Sequence, residues 1–99
     1  MGLNRHAARR DNNDGDLRKF AERLGWRLWP LKEPCDYLGL RRSEFHAVEI
    51  KNPDCEGHAD EFTADEIKFM TEVKNCGGRI LVWRRESDVL RDSGARVSA

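Results

Sequence analysis

Asp36, Glu49 and Lys51 are the residues of this 99-residue chain whose types and spacing could do chemistry together. They sit in residues 34–51, where two alternating apolar runs flank a four-residue polar turn, Arg41 to Glu44. That pattern predicts a β-hairpin. If Leu40 pairs with Phe45, Asp36 falls opposite Glu49, where opposed Cβ atoms on one face lie about 4.5–5.5 Å apart. Lys51, two residues after Glu49, projects from the same face. Two facing carboxylates repel unless something positive lies between them. With an ammonium beside them, they have the layout for holding a divalent cation and a water against a phosphate. The competing reading is a solvated hairpin face, with Val48 and Ile50 burying only the opposite side.

The elements that must position this hairpin follow from the flanking patterns. Residues 1–10 are basic and weakly patterned and are expected to form a flexible arm, in which Arg5, His6, Arg9 and Arg10 either grip phosphate or stay solvated. Asp11-Asn12-Asn13-Asp14 is rich in N-cap residues, so a helix is expected to follow. Its apolar stripe is Leu17, Phe20, Ala21 and Leu24, and Gly25 ends it. Asp16 lies on the flank of that stripe, either turned toward a site on the sheet or complementing the helix dipole. Residues 26–31 alternate and give a first strand, stopped near Pro30. The tryptophans are expected in the core or over a sheet edge, with base stacking by Trp29 the lesser alternative.

Beyond the hairpin, residues 52–61 read as an acidic loop, either solvated or tuning access to a site. Thr63, with Glu66 three residues on, has the form of a capping box opening a helix. That helix carries Ile67, Phe69, Met70 and Val73 and stops at Gly77-Gly78. Residues 79–84 form an apolar strand which, following a helix, should lie parallel to the third strand. Glu86 to Arg91 form a last helix, and residues 92–99 a frayed tail. The order is α-β-β-β-α-β-α in one α/β (α+β) domain spanning residues 11–91, with a mixed sheet of antiparallel meander plus parallel crossover strand.

Composition narrows the function classes. The chain carries 18 basic and 18 acidic side chains, which argues against a simple DNA-coating protein. The charge is polarised: seven basic against four acidic side chains in residues 1–27, one against seven in 52–72, and six against three in 73–99. A chain so divided can still bind a polyanion through its basic patches. No run of 18 apolar residues exists, so no membrane partner is expected. The amino terminus lacks an apolar signal core, so a cytosolic location is expected. The three cysteines, Cys35, Cys55 and Cys76, read as free thiols. Cys55 and His58 have a zinc-like spacing, but no second ligand pair follows.

Asp36 followed by Glu49-Ile50-Lys51 within α-β-β-β-α-β resembles the core of the PD-(D/E)XK nuclease superfamily. More narrowly, the chain resembles the small stand-alone VRR-NUC proteins found largely in phages and prophages. Arg10-Asp11-Asn12-Asn13, Glu33-Pro34-Cys35-Asp36-Tyr37-Leu38 and Val48-Glu49-Ile50-Lys51-Asn52-Pro53 carry the resemblance. Residues 63–69, 78–82 and 86–90 complete it, over about residues 9 to 90. It departs at Asp16, where the family has the longer Glu, at Glu66, where Gln is frequent, and at Ala64, where Pro follows the capping Thr.

The resemblance implies a restriction-endonuclease-like core and hydrolysis of a DNA phosphodiester with Mg²⁺ or Mn²⁺. Asp36, Glu49 and the Ile50 carbonyl would coordinate the ion, Asp16 would complete the shell through water, and Lys51 would orient the nucleophile or neutralise the transition state. Arg9, Arg10, Asn13, Thr63 and Glu66 are the implied nucleic-acid contacts. Branched or junction DNA is the implied substrate, a homodimer a possible assembly, and the cytoplasm of a bacterial host the implied location. The alternative is a nuclease-like module that holds nucleic acid or a protein without cutting.

Overall fold

In the computed structural model, which describes the backbone of residues 2–94 and the side chains of residues 13–94, the hairpin has the expected register. Strand β2 (Tyr37–Arg41) pairs antiparallel with β3 (Glu44–Ile50), Leu40 facing Phe45 and Tyr37 facing Val48. The turn is tighter than expected. Arg41 and Glu44 are themselves a pair, so the loop is only Arg42-Ser43, both at positive φ (53° and 70°). Two positive φ values match the twist of the flanking strands, and neither residue is the Asn or Gly that adopts them most readily.

The sheet is completed by β1 (Arg27–Pro30), antiparallel to β2, and β4 (Ile80–Trp83), parallel to β3, in the order β1-β2-β3-β4. Helix α2 (Ala64–Asn75) makes the crossover, and α1 (Gly2–Arg23) and α3 (Glu86–Asp92) complete the α+β domain. Among the described residues no helix is long and apolar enough to cross a membrane.

One face of the sheet is packed. Trp26, Leu28, Tyr37, Val48, Ile50, Leu81 and Trp83 form the core with Leu17 and Ala21 of α1 and Val89 of α3. Trp26 meets Trp83 edge-on at 5.1 Å between centroids, a favoured aromatic geometry. Its indole lies across β2 at Gly39, where an added Cβ would stand 3.2 Å from the ring and 3.1 Å from Leu28. Gly39 thus lets the indole lie flat on the strand.

Two expectations need correction. Helix α1 starts at Gly2 rather than after Asp11–Asp14, so residues 2–10 are helical in place of an arm. Leu, Ala and Arg in this segment favour helix, and no proline interrupts it. At the other end, α3 runs to Asp92 and Ser93 is buried, so these two residues belong to the packed domain, and residues 95–99 of the expected tail lie outside the described residues. The Ser93 hydroxyl accepts from Trp26 Nε1 at 2.8 Å and donates to the Val89 carbonyl at 2.6 Å. The acidic loop is exposed over residues 56–60, in line with the solvated reading, and is anchored by ion pairs: Glu61 takes a bidentate pair of bonds from Arg84 at 2.6 and 3.0 Å, and Glu56 bonds Arg85.

Ser93→Ala leaves the Trp26 indole N–H buried without an acceptor. It should cost about 1–3 kcal/mol, read as a lower urea midpoint at unchanged slope. A midpoint equal to wild type would show that this bond contributes nothing.

Candidate metal and phosphate site

Side chains alternate along a strand, so the register fixes which residues share the second face of the sheet. Arg27, Leu40 and Phe45 form one row across it, Trp29, Leu38, Ala47 and Ile80 the next, and Glu49 and Val82 a third. Asp36, one residue before β2, continues the pairing into the third row, opposite Glu49. Lys51 follows on the same side.

Asp36 and Glu49 converge as expected. Both line an open cleft of about 270 Å³, together with Cys35 and with Thr63 and Glu66 at the start of α2. Asp36 is fixed by the backbone, its Oδ2 accepting the Ile50 N–H at 2.8 Å. Glu49 is 1% exposed. Its carboxyl is hydrogen-bonded to that of Asp36, while Oε1 is buried with no hydrogen-bond partner. Burial first, then the charge of Asp36 and the shared hydrogen bond, push the Glu49 pKa up to about 9. Glu49 is therefore held protonated beside Asp36. Ile50 contributes its amide to this arrangement and its side chain to the core.

Lys51 stands where the hairpin projects it, but its ammonium is directed at Glu66. Lys51 Nζ donates to Glu66 Oε1 at 2.8 Å and lies 5.1 Å from the centre of the Phe62 ring. The same Glu66 oxygen accepts the Thr63 N–H at 2.9 Å, and Thr63 Oγ1 accepts the Glu66 N–H at 3.1 Å. The expected capping box is therefore present, and it carries Glu66 into the cleft as a partner for Lys51. Thr63 and Glu66 were expected to touch nucleic acid; here they bound the cleft and orient its lysine.

Two other expected site residues, Asp16 and Asn13, lie elsewhere. Asp16 is exposed, away from the cleft. Successive helix positions turn by about 100°, so a residue adjacent to Leu17 leaves the buried stripe. Asp14 takes the inward position instead. It is buried and accepts from the Tyr37 hydroxyl at 2.6 Å. Its spacing of three from Leu17 and seven from Ala21 was the signal in the sequence. Asn13 is committed to the end of the sheet, its amide reaching the Lys51 and Arg84 carbonyls at 3.1 and 3.3 Å. The side chains of Arg9 and Arg10 lie outside the described residues.

Sequence reasoning also missed Lys32, Glu33 and Asp65, which line the cleft. Burial raises the Cys35 thiol pKa, and its Sγ donates to the Tyr37 carbonyl at 3.4 Å. A thiol held neutral is a poor nucleophile, so the chemistry available here belongs to oxygen ligands. Among the described residues no three Asp, Glu, His or Cys side chains are gathered as a ready-made metal cage. The unpartnered buried oxygen of Glu49 beside Asp36 nevertheless suits a hard divalent cation.

No protein-family model matches the chain, and no curated protein or solved structure matches it. What the protein does has to be inferred from its own side chains.

The shifted carboxyls set a pH dependence whose sign can be worked out. The unfolded chain releases the Glu49 proton near 4.5 and the folded one keeps it to about 9. This contribution is intact below 4.5, is lost as pH rises through that window, and is level above it. By pH 7 the loss is roughly 3 kcal/mol. Glu61 acts oppositely. The hydrogen bond from Arg84 lowers its pKa below 4.5, so its contribution fades as pH falls through the folded value. In chelator, Glu49→Gln should raise the melting temperature at pH 7–8 and flatten its decline toward pH 9. Asp36→Asn, which retains an acceptor for the Ile50 N–H, should also be stabilising. A clear loss of stability in both variants would rule out the paired-carboxyl geometry.

Proposed function

We propose that this protein is a metal-dependent phosphodiesterase acting on DNA, of the kind its sequence resembles. The observation carrying this reading is the buried, unpartnered Glu49 oxygen beside Asp36, in an open cleft whose Glu66 takes the Lys51 ammonium. Asp36 and Glu49, with the Ile50 carbonyl, would hold Mg²⁺ or Mn²⁺. Such an ion supplies an acidified water and offsets charge on phosphoryl oxygens.

The chain's own groups account for the remaining work. Glu49, whose proton is held by burial beside Asp36, would have to release it for both carboxyls to serve as ligands. Lys51, positioned by Glu66, places its ammonium beside the reacting phosphate and offsets charge developing there. Glu66 is itself fixed by Thr63, so the start of α2 sets the position of the lysine. Asp16 is not part of this proposal, and Asp14 acts at a distance by holding Tyr37, the residue after Asp36.

A second reading is favoured by one observation. The Glu49 carboxyl is hydrogen-bonded to that of Asp36, and no three acidic, His or Cys side chains are gathered as a metal cage among the described residues. A module that holds nucleic acid or a protein without cutting would fit that arrangement.

Incubation with supercoiled plasmid, a four-way junction and a splayed duplex in Mg²⁺, Mn²⁺ or chelator separates the two. Cleavage confined to the metal-containing samples is expected. Lys51→Ala should lower it about 10²–10³-fold, Asp36→Asn should abolish it, and Glu66→Gln should reduce it less than Lys51→Ala does. DNA binding without cleavage would favour the module, and the absence of both cleavage and calorimetric Mn²⁺ binding would end the enzyme reading.

A further inference from the structure

The face that carries the carboxyl pair is not covered along its whole length. Of the three tryptophans, Trp26 and Trp83 are buried in the core, whereas Trp29 is 38% exposed on the opposite face. Phe45 is 61% exposed, and its ring lies 6.4 Å from that of Trp29, tilted by 37°. Leu38, paired with Trp29, is also exposed. The guanidinium of Arg27 sits over the Trp29 ring at 5.3 Å.

These residues occupy the two rows next to the one holding Asp36 and Glu49. Rows on one face of a sheet are two residues apart, roughly 7 Å. The aromatic rings and the carboxyl pair therefore form one continuous surface, cleft at one end and rings at the other.

We propose that Trp29 and Phe45 form a stacking platform for unpaired nucleobases, so that the nucleic acid taken by the cleft is single-stranded or splayed at this position. The proposal rests on the reading of the cleft as a phosphate site and adds the substrate class. Exposed rings on a sheet accept bases of any identity by stacking, and a guanidinium above one ring extends the stack and meets the adjacent phosphate. Paired bases in a duplex are already stacked on one another and present no free face to these rings.

The occupant is a nucleic-acid strand rather than a second copy of the chain, because the Arg27 guanidinium over the Trp29 ring supplies the cation that a phosphate beside a stacked base would meet.

The test is binding of a fluorescein-labelled oligothymidylate of about 12 nucleotides, in Ca²⁺ and separately in chelator, read by anisotropy and by tryptophan quenching. Because the other two tryptophans are buried, quenching reports on Trp29. Wild type should bind the oligonucleotide more tightly than an abasic strand of equal length or the fully paired duplex, with quenching. Trp29→Leu and Phe45→Leu should each weaken binding roughly fivefold or more, and Trp29→Tyr should restore it. Both positions are exposed, so unchanged circular dichroism and melting are expected for these variants.

Equal affinity for the abasic strand, or no loss on Trp29→Leu, overturns the proposal. So does a wild-type dimer in sedimentation that Phe45→Leu disperses, since a second copy would then cover the face. Base-dependent quenching without any cleavage of plasmid or junction would end the enzyme reading and keep the platform. Cleavage without base dependence would do the reverse.

Discussion

The site depends on two carboxyls held against each other at the end of a hairpin. The Leu40–Phe45 pairing puts Asp36 and Glu49 on one face, and the Ile50 N–H anchors Asp36 at 2.8 Å. Burial then denies Glu49 the water that would stabilise its charge, and its pKa rises to about 9. An apolar pair here would stabilise the fold more simply, since a carboxyl buried beside another acid is a cost to the folded state. Such local conflicts concentrate where a protein binds or reacts. The rest of the molecule absorbs the cost through the core of Trp26, Leu28, Trp83 and their neighbours on the other face.

The two faces of the sheet therefore do different work. Helices α1 and α3 seal one of them, with Tyr37 tied to Asp14 and Trp26 tied to Ser93. The other carries the cleft, the row of exposed aromatics and the start of α2, a helix with no buried residue. Helix α2 contributes through its first turn, where one Glu66 carboxylate both closes the capping box and takes the Lys51 ammonium. Local helix chemistry and the site thus share an atom, so the lysine is oriented by the same contact that starts the helix.

Charge that looks unbalanced along the chain is balanced in space. The acidic stretch of residues 52–72 meets Arg84, Arg85 and Lys51 through Glu61, Glu56 and Glu66. The Arg84–Glu61 pair is mostly shielded from solvent, with 18% and 5% of the side chains exposed, and it is bidentate. It fastens the loop to the end of β4 more firmly than a solvated ion pair could.

Much of this was legible in the residues themselves. Alternation and the Leu40–Phe45 register placed Asp36, Glu49 and Lys51 together, the Thr63–Glu66 spacing announced the capping box, and the α-β-β-β-α-β-α order produced the mixed sheet. These are local or short-range patterns, and the chain writes them directly. The folded molecule alone decided the rest. Which acid of the first helix turns inward depends on the phase of α1 against Tyr37, so Asp14 is buried and Asp16 exposed. Which tryptophan stays exposed depends on which sheet face the helices cover, a choice made by packing between segments far apart in sequence. The direction of the Lys51 ammonium and the partners of the acidic loop belong to the same class. Each is set by atoms that become neighbours only after the sheet has closed.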